Sequence, residues 1–318
     1  MKLKKEYVIL FIIIAVLVLY IALRKGNRIQ YRLPEIAELA PADISGIVIQ
    51  KDTKEIVLKK ENGKWLIGPE KYSADSYKVK QMINFLKKPV LMTLVSESKD
   101  YMRYGLDDKA RITVKALSGN SPKRVVEIGY QADVQNCTFI KLENDNRVYQ
   151  AKEDLREIFS TDIDNIRDKS VLSFNLDRIY SVDLSRDGKE TVFTKKEVPS
   201  KGKENKDKAT TYQWETGDGR VIDISLMNGV LDDILKIKCS KYFYDTKKEE
   251  QAKPAYVIKV KDEKEHVLTV FPKKDDAYRA ESSDNPTPFS LYAWRIDNII
   301  KKFDEMLGKK DKKEAKTD

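Results

Sequence analysis

Seventeen consecutive residues near the start of the chain, from Tyr7 to Leu23, carry only apolar or aromatic side chains. At a rise of ~1.5 Å per residue, a helix of this length would extend roughly 26 Å, enough to cross the hydrocarbon core of a bilayer. Basic residues bound the run on both sides, and a tyrosine lies near each end. The sequence therefore predicts a single-pass helix, with lipid contacts at Tyr7, Phe11, Leu17, Tyr20 and Leu23.

The alternative for this segment is a cleaved signal peptide, which has a shorter apolar run and a cleavage site between small residues. Residues 21–24 supply no such site, and this favours an uncleaved anchor. Charge alone does not decide the orientation, because three lysines precede the run and four basic residues follow it closely. The very short leader favours insertion in the cytoplasmic (inner) membrane, with the long body on the extracytoplasmic side.

The chain has a net charge of +9 and a pI near 9.1, values that would suit a nucleic-acid partner. The excess is local, because residues 1–32 hold seven basic side chains and one acidic one, and the segments 199–210 and 309–318 are also lysine-rich. The rest of the chain is nearly neutral. We therefore predict membrane lipid as the partner of the basic residues, and no nucleic acid.

Two cysteines, Cys137 and Cys239, are too few for a structural zinc site and lie in no C-x-x-C pair. They occupy different places in the two halves of the chain described next. Two separate buried thiols are therefore favoured over one disulfide, which remains the alternative.

The sequence beyond the anchor repeats one order of elements: two strands, a tryptophan-bearing strand, a helix, three further strand runs and a closing helix. In the first half these are Asp43–Ile49, Glu55–Lys60, the strand from Trp65, a helix with Ser73 as N-cap that Pro89 ends, Arg111–Leu117, Arg124–Ile128, Cys137–Leu142 with Val148-Tyr149, and Asp154–Phe159. In the second half they are Asp177–Leu184, Thr191–Thr194, Tyr212–Trp214, the helix Ser225–Lys236, Tyr256–Val260, His266–Phe271, Tyr278–Ala280, and the helix Leu291–Leu307. We predict an α+β fold of two similar lobes produced by internal duplication, with chance similarity of order as the alternative.

The predicted domains are residues 1–32, the anchor and juxtamembrane segment, then 33–170 and 171–308, the two lobes, and 309–318, a disordered basic tail. Residues 199–210, which are rich in lysine, form a predicted solvated loop.

A set of short motifs lies along the first half of the chain and extends to the start of the second half. They are Gly63-Lys64-Trp65, Pro69 ahead of Ser73-Ala74-Asp75, Tyr104-Gly105-Leu106, Ile128-Gly129, Val148-Tyr149, and Arg167-Asp168-Lys169 ahead of Leu172 and Phe174. In these features the chain resembles the family known as domain of unknown function 4340, most closely over residues 40–175. It departs from the family pattern at Asp107-Asp108-Lys109, where a proline is common. The resemblance implies an anchored accessory protein near a gliding-motility-type ABC transporter, and it brings no catalytic residue.

Few residues in the sequence are candidates for a catalytic role. The one histidine, His266, lies in a predicted strand and is interpreted as a surface or edge residue rather than a base. No G-x-S-x-G, Walker-type or G-x-G-x-x-G motif is present. Acidic doublets such as Asp232-Asp233 diverge on a helix or strand, so they converge poorly on one ion. We predict no catalytic, cofactor-binding or metal-binding residues, and not an enzyme.

Aromatic residues are the more informative group. Trp65 and Trp214 are predicted core anchors of the two lobes. Tyr101, Tyr104, Tyr242 and Tyr244 follow the long helix of each half and are the predicted interaction surface, although a buried strand would give the same pattern. Together with the anchor and the lack of catalytic motifs, the family resemblance implies an accessory subunit that contacts an ABC-type permease or auxiliary subunit; the alternative is an extracytoplasmic polysaccharide- or lipid-binding module.

Overall fold

A computed structural model of the chain describes residues 5–23, 32–134, 136–198, 211–244 and 252–308. The predicted loop at 199–210, the tail at 309–318 and most of the juxtamembrane segment lie outside the described residues.

Six α-helices are described: α1 (Lys5–Leu23), α2 (Ser76–Lys87), α3 (Leu155–Ile158), α4 (Ile163–Ile166), α5 (Ile224–Leu235) and α6 (Ala293–Met306). Strands of the first sheet are β1 (Gly46–Lys51), β2 (Lys54–Glu61), β3 (Lys64–Ile67), β4 (Tyr72–Ser73), β5 (Leu91–Ser96), β6 (Ile112–Ser118), β7 (Ser121–Gln131), β8 (Cys137–Leu142) and β9 (Val148–Lys152). Those of the second are β10 (Ser181–Arg186), β11 (Lys189–Val198), β12 (Thr211–Thr216), β13 (Val221–Ile222), β14 (Lys241–Tyr242), β15 (Tyr256–Lys261), β16 (Glu265–Lys274), β17 (Ala277–Ser282) and β18 (Asn285–Tyr292).

The two nine-stranded sheets have the same strand order. The first runs β4-β3-β2-β1-β6-β7-β8-β9-β5 and the second runs β13-β12-β11-β10-β15-β16-β17-β18-β14. In chain order, each sheet begins with four strands that are followed by a helix. The strand after that helix forms the opposite edge of the sheet, and the last four strands lie between this edge strand and the first four. The predicted α+β fold of two similar lobes is confirmed.

The chain divides into two compact units, residues 1–59 with 80–161 and residues 60–79 with 162–318. The second unit therefore includes β3, β4 and the first turn of α2 in addition to the second sheet.

Local sequence explains two of the tight turns and the starts of two helices. The turn between β2 and β3 places Asn62 and Gly63 at positive φ (48° and 80°), and the turn between β10 and β11 does so with Asp187 and Gly188 (51° and 75°). These angles give type I′ turns, whose twist matches that of antiparallel strands. An aspartate also caps α2 and α5, the helix that follows the first four strands of each sheet.

The Asp75 carboxylate accepts from the backbone N–H groups of Tyr77 (2.9 Å) and Lys78 (3.1 Å) at the start of α2. Asp223 accepts in the same way from Ser225 (2.7 Å) and Leu226 (3.2 Å) at the start of α5. Such caps satisfy donors that have no partner within the helix. The N-cap of α2 predicted at Ser73 is therefore wrong by two residues.

The segment predicted to cross the membrane lies in α1. Its described side chains, at Tyr7 and at positions 9–20, are all exposed. Among the residues whose side chains the structure describes, no helix is both long enough and apolar enough to cross a membrane.

Several predicted boundaries are corrected. The first strand of each lobe was placed too early, since short 3₁₀ turns at Pro41–Asp43 and Leu176–Arg178 precede β1 and β10. The final helix begins at Ala293 rather than Leu291, because the residues before it form β18. The strands β4, β5, β13 and β14, which were not predicted, form the sheet edges.

The tryptophans differ in burial. Trp214 is 1% exposed and lies in the core of the second lobe, as predicted. Trp65 is only half-buried, so its predicted role as a core anchor is too strong. Trp294, in the last helix, is 56% exposed. The buried positions of α6 begin with Ala293, and a side chain one residue further points ~100° away from that face. Cys137 and Cys239 are separate buried thiols.

Candidate functional site

The motif Arg167-Asp168-Lys169 lies directly after the short helix α4 and is held by backbone pairing. Arg167 forms a bridge with Ala74, and the Asp168 N–H donates to the Ser73 carbonyl at 2.9 Å. On the other side, the Cys239 N–H donates to the Lys169 carbonyl at 2.9 Å. These bonds fix the motif between the end of β4 and the chain that leads into β14.

The Arg167 side chain lies between two tyrosine rings. Its guanidinium carbon is 3.8 Å from the Tyr72 ring centroid and 3.6 Å from that of Tyr242, and the residue is 4% exposed. One terminal nitrogen donates to the Tyr244 hydroxyl at 3.0 Å and the other to the Thr287 hydroxyl at 3.2 Å. A planar guanidinium is suited to this arrangement, because it stacks on aromatic faces and donates in its own plane. We call Arg167, Tyr72, Tyr242 and Tyr244 the tyrosine cluster.

The hydroxyl groups of the cluster are also engaged. Tyr242 donates to the Asp168 carbonyl at 2.6 Å and accepts from the Asn285 amide at 3.1 Å. Tyr244 donates to the Asp164 carboxylate. Burial raises the pKa of Tyr242, and burial with the bond to Asp164 raises the pKa of Tyr244 to about 12. Both phenols therefore stay protonated near neutral pH and act as hydrogen-bond donors rather than as bases.

The acidic and thiol groups beside the cluster are used structurally. The Asp168 carboxylate accepts from the backbone N–H (2.9 Å) and hydroxyl (2.7 Å) of Ser170, and Lys238 lies 3.6 Å away. Burial raises the pKa of the Cys239 thiol, which makes it a weaker nucleophile at neutral pH. The arrangement orders the chain and offers no activated nucleophile.

The predicted interaction residues do not share one environment. Tyr242 is 1% exposed, so for this residue the buried alternative holds. Tyr244 is 47% exposed. Tyr101 and Tyr104 are half-buried at a 3₁₀ turn in the first unit, where the Tyr101 hydroxyl donates to the Asn146 carbonyl at 3.2 Å.

That 3₁₀ turn explains two further motifs. A Cβ atom on Gly129 would lie 2.1 Å from the Tyr104 carbonyl oxygen, so only glycine permits β7 to approach the turn this closely. Gly105 has φ +66° and lies against the Tyr130 ring, where a Cβ atom would be 2.6 Å from a ring carbon. Leu106 is buried beneath. The Tyr104-Gly105-Leu106 and Ile128-Gly129 motifs therefore meet in space as a packing contact.

His266 is the residue whose environment was predicted least well. It is fully buried in β16, which lies inside the second sheet, so the surface or edge interpretation is wrong. Its Nδ1 is 2.6 Å from an Asp284 oxygen and its Nε2 is 3.1 Å from an Asp262 oxygen. Two carboxylates satisfy both ring nitrogens, which is how a polar ring is accommodated in a core.

Within the described part of the chain, no group of three or more His, Cys, Asp or Glu side chains is placed to hold a metal ion.

Comparison with known families gives one result. The profile of Domain of unknown function (DUF4340) matches residues 65–258, more than half of the chain. The chain belongs to this family. The matched region starts at Trp65 on β3 and includes the whole tyrosine cluster. No curated protein and no solved structure matches the chain.

Sequence reasoning missed Tyr72 and Thr287 as partners of Arg167. Tyr72 directly precedes the Ser73-Ala74-Asp75 motif, and this was the available signal. Thr287 follows Pro286 in a segment with no strand-like alternation, so no signal marked it.

Proposed function

We propose that this member of the DUF4340 family is an extracytoplasmic interaction protein, anchored by α1 in the cytoplasmic membrane and working as an accessory subunit of an ABC-type transport or surface-assembly complex. The observation that carries the anchor is the surface of α1. A helix of a water-soluble protein buries one apolar face and turns a polar face to solvent. The large apolar side chains described in α1 are 50–74% exposed on every side of the helix. Lipid is the cover that matches such a surface.

Alkaline extraction of membranes from cells that make the full chain tests the anchor. We expect the chain to stay in the membrane pellet, and Leu17→Arg combined with Val16→Arg to release it, because a charge at the centre of an apolar span costs about 2.5–3.5 kcal/mol for each residue. Thr53→Arg, on an exposed turn of the body, is the matched control and should not release it. Release of the unaltered chain would refute the anchor.

Protease added to cells whose outer permeability barrier has been opened tests the orientation. Cleavage of the body, with the anchor fragment retained in the membrane, is the expected result. Protection of the body until the inner membrane is also broken would place it in the cytoplasm and overturn the proposal.

The accessory role is supported by what the polar groups of the molecule are used for. The histidine, the cluster tyrosines and Asp168 are all occupied in holding backbone and side chains in place. An interaction protein of two similar lobes, rather than an enzyme, is the function this arrangement favours. The family resemblance supplies the ABC-type partner. The common strand order supports the inference that the lobes arose by duplication.

Chemical cross-linking on membranes, followed by identification of the linked subunits, tests the partner. Recovery of an ABC-type permease or auxiliary subunit with the full chain, and its loss with the Leu17→Arg, Val16→Arg chain, is expected. Recovery of the protein alone would contradict the accessory role while leaving the anchor intact.

The alternative function, binding of polysaccharide or lipid through exposed tyrosines, loses support from the cluster geometry. The Tyr242 ring is covered by Arg167 and has no face left for a sugar or an acyl chain.

A further inference from the structure

Arg124 and His266 occupy the same position in the two sheets. In the first sheet, Ile47 on β1 pairs with Ala116 on β6, which pairs with Arg124 on β7. In the second sheet, Val182 on β10 pairs with Val260 on β15, which pairs with His266 on β16. Because β1, β6 and β7 correspond to β10, β15 and β16 in strand order, the two side chains are structural equivalents.

Each side chain holds the segment that leads into its lobe. Arg124 donates to the carbonyl oxygens of Leu86 and of Lys87 (2.7 Å) at the end of α2, and to that of Ala37 ahead of β1. It therefore ties the chain before β1 directly to the sheet. A guanidinium keeps its charge throughout the pH range in which an imidazole gains or loses a proton, so this tie does not depend on pH in that range.

His266 holds the corresponding segment of the second lobe, residues 171–175, through its two carboxylates. The Asp284 oxygen that faces Nδ1 also accepts from the Ser173 N–H at 2.8 Å. The other oxygen of Asp262 accepts from the Asn175 N–H at 3.0 Å. Between them, the Phe174 ring lies edge-on to the imidazole, with centroids 5.8 Å apart. We call residues 171–175 the strap.

The remaining contacts of the strap and of the two carboxylates belong to the same hydrogen-bond network around His266. Ser282 donates to the Val171 carbonyl at 2.6 Å, and the Lys264 backbone N–H donates to Asp262 at 3.0 Å. The Lys264 ammonium is 3.9 Å from Asp284, with its side chain 67% exposed. Thus two carboxylates and one solvated ammonium are the charged groups described around the ring.

The protonation state of the ring decides whether this network is attractive. Only the imidazolium can donate from both nitrogens at once. A neutral ring would turn an unprotonated nitrogen toward a carboxylate oxygen, so that two acceptors face each other in a buried site. That contact costs free energy, and the cheapest relief is movement of the carboxylates together with the backbone they hold.

We propose that the strap is a proton-controlled latch: it is closed while His266 carries a proton on both ring nitrogens and it loosens when one of these protons is lost. The equivalent tie at Arg124 has no such control. The second lobe therefore contains a movable lead-in segment directly after the Arg167-Asp168-Lys169 motif, and the first lobe has a fixed one.

The test uses two measurements on the full chain in detergent. Because His266 is the one histidine of the sequence, its ring nitrogens can be followed by ¹⁵N NMR without assignment. Hydrogen exchange of the Ser173 and Asn175 amides is measured over the same pH range and corrected for the intrinsic exchange rate. We expect protection to fall at least about tenfold as the ring loses a proton, the loss of roughly one hydrogen bond to a charged group.

The Leu39 amide, which donates to the Lys87 carbonyl at 3.0 Å beside the Arg124 tie, is the internal control and should keep constant protection. His266→Gln, which can donate from one nitrogen only, should show the weaker protection at every pH. If His266→Gln does not fold, the two measurements on the unaltered chain still decide. Constant protection of Ser173 and Asn175 while the ring titrates, or a singly protonated ring beneath a closed strap, would overturn the proposal.

Discussion

The strands β1 and β10, which come first in chain order in their sheets, show what the two lobes share and where they differ. Core-facing positions are apolar in both, with Ile47 and Ile49 in β1 and Val182 and Leu184 in β10, all buried. Between them, on the opposite face, β1 carries Val48 and β10 carries Asp183, which is 3% exposed.

The neighbouring strand compensates for this difference. Lys261, which pairs with Ser181, places its ammonium 2.9 Å from Asp183, and the Ser181 hydroxyl donates to the same carboxylate at 2.8 Å. The equivalent position in the first sheet is Leu117, which pairs with Gly46. The comparison teaches that alternation on the core face fixes the strand order, whereas the other face accepts either an apolar contact or an ion pair when both partners change together.

The tryptophans of the two third strands give the largest predicted contrast. Replacing Trp214 with alanine removes a fully buried ring and should lower the free energy of unfolding by about 3–5 kcal/mol. The half-buried Trp65 should cost less, about 1–2 kcal/mol, because less apolar surface returns to water. Guanidinium titrations followed by circular dichroism measure both values. Trp294→Ala, an exposed site, is the control; equal costs at Trp65 and Trp214 would show that the lobes use their tryptophans alike.

Two arginines, the buried Arg167 and the partly buried Arg156, give the next contrast. Arg167→Ala in the tyrosine cluster should cost about 2–4 kcal/mol, because two ring faces and two hydroxyl acceptors lose their partner. Arg167→Lys should recover little, since an ammonium cannot stack and donate in one plane. In the first lobe, Arg156 donates to the carbonyls of Gly129 (2.8 Å) and Ala110 (2.9 Å).

Arg156→Ala is the matched variant and should cost about 1–2 kcal/mol, the value of two hydrogen bonds with one more distant ring contact, since its guanidinium carbon is 5.4 Å from the Tyr130 ring centroid. Unfolding titrations of Arg167→Ala, Arg167→Lys and Arg156→Ala provide the comparison. A lysine at position 167 as stable as arginine would show that charge alone, and not stacking, holds the cluster.

The ion pair of β10 can be converted into the apolar pair of β1. Asp183→Ala should cost about 1–2 kcal/mol, less than a fully buried pair would, because the Lys261 side chain is 29% exposed. The double change Asp183→Val with Lys261→Leu copies the first lobe and should return stability to within about 1 kcal/mol of the unaltered chain. Chemical unfolding of the single and double variants checks this. A double variant no better than Asp183→Ala would mean that the outer faces of the two sheets are not interchangeable.

The sequence was sufficient for those parts of the fold that depend on neighbours along the chain. Alternation located β1, β2 and β6, and helical spacing located α2 and α5. The edge strands β5 and β14 were missed because their pairing is non-local: β5 is a strand only because β9, more than fifty residues later, lies beside it, and β14 pairs in the same way with β18. The edge strands β4 and β13 pair locally, but each has only two residues, too few for alternation to show. Two prolines explain why the sequence does not predict β18. Pro286 and Pro288 lie at a register shift, where the ladder with β17 needs no donor from them.

The site follows the same rule. The sequence singled out Tyr242, Tyr244 and the Arg167 motif separately, but it could not bring Tyr72 to the other face of the guanidinium across almost a hundred residues. His266 was misjudged because its partners, Asp262 and Asp284, make burial possible, and a polar residue in a strand is assigned to the surface when no partner is visible.

Acid titration gives the smallest predicted effect and compares one carboxylate of the first lobe with one of the second. The Arg147 guanidinium, which donates to Asp145, lowers the pKa of that carboxyl to about 2, and the Asn175 N–H is the main cause that lowers the pKa of Asp262 to about 2. A carboxyl whose pKa is depressed by folding stabilises the protein above its unfolded value near 3.9, and that contribution is lost as the pH falls toward 2. Asp145→Asn should therefore cost about 1 kcal/mol at neutral pH, after allowance for solvent around Arg147, and nothing near pH 2. Unfolding titrations at several pH values measure the difference, with Asp108→Asn, whose carboxylate is largely exposed, as the control. A cost of Asp145→Asn that persisted at pH 2 would assign its effect to packing instead of charge. Asp262→Asn should show the same pH dependence and in addition expose the Asn175 amide to exchange.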